Sequence, residues 1–125
     1  MFKRVKEDSL STRPITSLKG NITLKYKEIV KVFGEPDDSD QYKVSGQWVF
    51  KSTETDEYFT IYDWKATNLY DEFLPSVSEF RNSDKIFLFN VGGNTTPASF
   101  MKWINNTIRD VIISQKFEKV FLEES

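Results

Sequence analysis

Residues 86–97 read Ile-Phe-Leu-Phe-Asn-Val-Gly-Gly-Asn-Thr-Thr-Pro, and much of the fold follows from them. The nearly unbroken apolar run at 86–91 predicts the most buried strand of the chain. Gly92-Gly93 breaks that strand as a turn. Thr96 is a good helix N-cap, and Pro97 suits the first helical position, where a missing N–H costs nothing. Phe100, Ile104, Ile108, Val111 and Ile112 then line one face of a helix running to about residue 115. Beyond it, Phe117, Val120, Phe121 and Leu122 lie between charges, either as more helix or as a surface for self-association.

Upstream, Tyr58, Thr60, Tyr62 and Trp64 share one side of a strand and Phe59 and Ile61 the other, a composition suited to a strand covered on both faces. Asp63 falls on the second parity and is expected to be exposed or paired with a basic residue. Val44, Gly46, Trp48 and Phe50 share a face of the preceding strand, with Val49 opposite, and the polar residues 52–57 make the hairpin connection. Residues 21–24 alternate as a short strand. Tyr26, Ile29, Val30 and Phe33 fall on one helical face. Glu28 follows Lys25 where a capping box needs Ser or Thr, so the box is incomplete. Gly34 and Pro36 stop this helix. Residues 66–84 form a longer insertion containing Pro75.

The resulting order is β-α-β-β-β-α. It predicts an α+β fold: a two-layer sandwich whose antiparallel sheet of about four strands carries two helices on one face. A single domain spans 20–125, preceded at 1–19 by a flexible, basic arm without sustained periodicity.

The 125 residues include no cysteine and no histidine, but 11 Phe, 5 Tyr and 3 Trp. The commonest nucleophile, the commonest metal ligands and the side chain that titrates near neutrality are all missing. Aromatic contact capacity takes their place. This balance favours binding over catalysis and gives no reason to expect a cofactor or a metal. Residues 1–20 hold five basic and two acidic side chains, whereas the remainder holds 12 basic and 17 acidic. An acidic body repels phosphates at long range, which argues against nucleic acid as partner. No apolar run reaches membrane-spanning length. With no secretory signal at 1–6, a cytoplasmic setting is expected.

The segment 91–97 is the best local candidate for a ligand. A glycine turn before a helix N-terminus offers backbone N–H groups to an anion, and Gly92, Gly93, Asn94, Thr95 and Thr96 would hold it. The same composition also describes an ordinary capped turn. Tyr62 and Trp64, with Lys65 beside them, would stack on a base or serve simply as core. Glu35, Asp37, Asp38 and Asp40 lack the central glycine and closing glutamate of a calcium loop and read as a solvated turn.

The runs Phe33-Gly34-Glu35-Pro36, Trp48-Val49-Phe50, Thr60-Ile61-Tyr62-Asp63-Trp64-Lys65 and Val91-Gly92-Gly93 resemble a family of small bacteriophage- and prophage-encoded proteins, mostly without assigned chemistry. The resemblance spans about residues 20–100, and 60–65 is its most specific part. It implies a viral accessory protein acting in the host cytoplasm. The expected function is therefore a non-enzymatic binding protein that inhibits or adapts a host defence protein. The alternative is a protein that sequesters a nucleotide, its phosphate at 92–96, and a virion component is a third reading. A host protein, an anionic small molecule and a second copy docked through the C-terminal helix and tail are the partners these readings imply.

Overall fold

A computed structural model describes residues 1–5, 17–37, 44–63, 66, 67 and 69–124, with backbone alone for 117–124. Among them lie five strands, β1 (Phe2–Val5), β2 (Ser17–Lys25), β3 (Gln47–Ser52), β4 (Tyr58–Tyr62) and β5 (Ile86–Gly93), and three helices, α1 (Tyr26–Phe33), α2 (Val77–Arg81) and α3 (Ala98–Glu124). The strands form one antiparallel sheet in the order β1-β3-β4-β5-β2. The fold is α+β, a sheet with helices packed on one face.

Register decides which side chains reach the helices. Phe50 lies opposite Phe59, Trp48 opposite Ile61, Ile61 opposite Val91, and Ile22 opposite Phe89. These residues share one face and meet Ile29 of α1, Phe80 of α2, and Phe100, Ile104 and Ile108 of α3 in a single core. The Phe59 and Phe100 rings stack at 4.7 Å, nearly parallel, so α3 is anchored ring on ring to the middle of the sheet.

Helix α1 has the expected bounds. Its N-cap Lys25 makes no side-chain cap bond, in keeping with the incomplete box, and Gly34 closes it at φ +87°, where its N–H donates to Val30 O at 2.7 Å. That conformation strains any residue with a Cβ. Trp48 Nε1 donates to the Gly34 carbonyl, tying the helix end to β3.

Several expectations need correction. The segment 1–19 does not begin as a loose arm: residues 2–5 pair with β3, and β2 starts at Ser17 rather than 21. Phe2 makes edge contacts with Phe59 and Phe100 at 5.7 and 5.4 Å, so ring packing adds to the β3 ladder in holding β1 to the sheet. Arg4 donates to the Phe33 carbonyl and to Asp37, satisfying a helix-end acceptor that would otherwise be orphaned. Residues 6–16 lie outside those described.

Gly92 and Gly93 are strand residues of β5, paired on both sides, rather than a turn. A Cβ on Gly92 would stand 2.7 Å from Thr60 Oγ1, and one on Gly93 2.7 Å from Phe59 Cδ1. Glycine is there because neighbouring strands carry their side chains over it. The chain bends at Asn94 and Thr95, and α3 starts at Ala98 with the Pro97 carbonyl accepting from Met101 N, one residue later than expected. It continues to Glu124, so the tail extends the helix. Residues 44–46 precede β3 as a buried loop, and β4 ends at Tyr62, two residues short of Trp64.

The run 86–91 is not uniformly buried. Phe89 and Val91 face the core, while Ile86 and Leu88 point away from it and are 65% and 60% exposed. No described helix is long and apolar enough to cross a membrane.

Candidate functional site

The structure brings together some of the residues proposed from sequence and disperses others. Tyr62 lies on the outer face of the sheet, away from the helices, close enough to Gly92 that a Cβ there would meet its Cε1 at 3.5 Å. Gly93 faces the core instead. Asn94 is a structural clasp. Its Oδ1 accepts from Tyr58 N at 3.0 Å and its Nδ2 donates to the Asp56 carbonyl at 3.1 Å, closing the β3–β4 hairpin against β5. Thr95 and Thr96 lead into α3. Trp64 and Lys65 lie outside the described residues, as do Asp38 and Asp40. Asp37 pairs with Arg4 at 3.3 Å and bridges Gln47 through the backbone.

Asp63, beside Tyr62, is buried, neither exposed nor in an ion pair among the described residues. Its carboxylate accepts from Ser45 N at 2.8 Å, Gly46 N at 3.1 Å and the Ser45 hydroxyl. Arg81 donates to the Ser45 carbonyl at 3.2 Å and lies over the Tyr26 ring. This buried group fixes the entry of β3 and ties it to α2. The Tyr26 hydroxyl makes no hydrogen bond among the described residues. Burial pushes its pKa well above the ordinary tyrosine value, with Glu35 and Asp63 adding to the rise and Arg81 opposing it.

A different surface gathers several charged side chains around an apolar depression. Two adjoining cavities of about 370 and 340 Å³ lie where the end of β2, α1 and α3 meet, and they share Lys25, Glu28, Ile112 and Lys116. Ile108 and Leu24 form part of an apolar floor, flanked by the half-exposed Ile113 and by Ile86. The rim adds Lys27, Lys31 and Arg109, so five cations face two carboxylates, Glu28 and Asp84. Lys27 pairs with Asp84 at 3.2 Å and Arg109 with Asp110 at 3.5 Å, while Lys25, Lys31 and Lys116 make no ion pair among the described residues.

Lys25, Lys27 and Lys31 lie within seven residues of one another in the sequence, but Arg109 and Lys116 come from α3, and only the fold brings the two sets together. The continuous apolar run at 86–89 gives no signal for the outward direction of Ile86. Comparison with protein-family models and with curated proteins returns no match.

Proposed function

We propose that this chain is a non-enzymatic binding module that inhibits or adapts a protein partner. Its setting would be that of a viral accessory protein in a host cytoplasm, a setting that rests on the resemblance across residues 20–100. The observation that carries the binding reading is the exposure of large aliphatic side chains on the outward face of β5 and β2. Ile86, Leu88 and Leu18 are each about 60% exposed. Ile86 and Leu88 are successive outward residues of one strand, and Ile86 also borders the groove. A folded chain that turns large aliphatic side chains to water beside a charged rim has the make-up of an interface core with a polar border.

The test replaces both β5 residues with Thr, which keeps strand propensity while removing the apolar contact. Ile86→Thr/Leu88→Thr should retain the thermal midpoint of the wild type and lose the proteins that the wild type retains from host lysate. Retention of the same proteins by the variant would sink the reading.

A further inference from the structure

The lysine groove admits a narrower statement, which rests on the binding reading above and adds the chemistry of the partner. We propose that the groove between the end of β2, α1 and α3 takes an acidic segment of the partner protein, one that carries aliphatic or aromatic side chains among its carboxylates.

The charge pattern selects this occupant. Outside residues 1–20 the chain carries an excess of acidic side chains, yet the groove rim reverses that sign. Among the described residues, Lys25, Lys31 and Lys116 make no ion pair, and Glu28 is the one carboxylate that lines both cavities. Three such ammonium groups around one depression repel each other, and a ligand carboxylate relieves that repulsion. The floor selects in a second way. Leu24, Ile108, Ile112 and Ile113 offer nothing to a bare phosphate or to a polyanion without apolar groups, but they accept side chains inserted between the charged contacts. A second copy of this chain would bring the same cations to the same place if it docked face to face.

Selection from a display library of random dodecapeptides on the folded protein tests the idea without a known partner. The enriched pool should be rich in Asp and Glu interspersed with Leu, Ile or Phe. A fluorescent peptide from that pool should bind the wild type in a salt-sensitive manner and bind Lys31→Glu/Lys116→Glu roughly tenfold more weakly or worse, a loss of about 1.4 kcal/mol. Lys3→Glu/Lys51→Glu, with the same change in net charge at the opposite edge of the sheet, should bind as the wild type does. Neutral or basic selected peptides would overturn the proposal, as would equal binding by the groove variant. Tighter groove-dependent binding of oligothymidylate or phosphatidylserine vesicles would also overturn it, making the site a general anion surface.

Lysate capture separates the two levels. If proteins held by the wild type are lost from the β5 double-Thr variant but kept by Lys31→Glu/Lys116→Glu, protein binding stands and the acidic-segment proposal falls. If the β5 variant keeps them too, the broader reading falls.

Discussion

Tyr26 is a buried phenol with no hydrogen-bond partner among the described residues, beside an arginine that is itself engaged elsewhere. Removing an unsatisfied hydroxyl while keeping the ring costs little, so Tyr26→Phe should change stability at neutral pH by less than about 1 kcal/mol, or raise it. The pH dependence has a definite sign. Burial raises the folded-state pKa above the ordinary value near 10, so the unfolded chain loses this proton first as pH rises. The contribution is therefore complete below pH ~10 and falls away above it. Urea unfolding at neutral and strongly alkaline pH should show the wild type losing more stability than Tyr26→Phe. Equal alkaline losses would refute this account. At Gly92 the decisive quantity is space. Gly92→Ala drives a methyl against Thr60 Oγ1 and should destabilise by about 1–3 kcal/mol. Adding Thr60→Ala removes the opposing atom and should recover part of the loss, measured as a denaturation midpoint. A glycine serving solely to admit a ligand would show neither effect.

At the level of elements, β1 is the sharpest case. Its four residues include two cations, and only Phe2 and Val5 suggest burial. Nothing local separates this strand from a solvated end, because its partners are distant in sequence: the β3 ladder, the Asp37 carboxylate and the rings of β4 and α3. Phe2→Ala should accordingly lower stability by about 2–3 kcal/mol in thermal or urea unfolding, whereas a detached arm would give no change. Helix α1 is legible for the opposite reason: its apolar spacing, its missing cap and the Gly34 stop are all local. Helix α2 carries a local signal too, one hidden inside the insertion at 66–84, since Ser76 precedes Glu79 at capping-box spacing. The Ser76 hydroxyl accepts from Glu79 N at 3.1 Å and donates to the Glu79 carboxylate. The apolar run at 86–91 misleads because continuous hydrophobicity says nothing of which alternate residues face a partner layer. The turn expected at Gly92-Gly93 misleads similarly. Glycine pairs mark tight approach as readily as turns, and here Thr60 and Phe59 are what approach.

At the scale of the molecule, one core joins the sheet to all three described helices: β1 reaches it through Phe2, α1 through Ile29, α2 through Phe80 and α3 through Phe100 and Ile104. Such a core should melt as a unit. Tryptophan emission, to which Trp48 in the core and Trp103 packed against it contribute, should follow the same unfolding curve as the far-ultraviolet circular dichroism. Two separated transitions would show that β1 or the end of α3 is not coupled to the rest. The sheet also explains why Ile86 and the groove lie together. Strand β2 sits at the sheet edge, its end lines the groove together with α3, and Ile86 of β5 reaches the same depression.

That edge placement also sets the order in which the protein is assembled. β2 pairs residues 17–25 with residues 86–93 and has no other strand partner among the described residues. During synthesis it therefore emerges long before its partner, while the β3–β4 hairpin closes locally. Its ladder belongs to the slow, non-local class of contacts, and until β5 arrives the strand is open to pairing with a neighbouring chain. Lys19 and Lys25 place charges on that strand, the composition by which exposed strand edges resist pairing with neighbours.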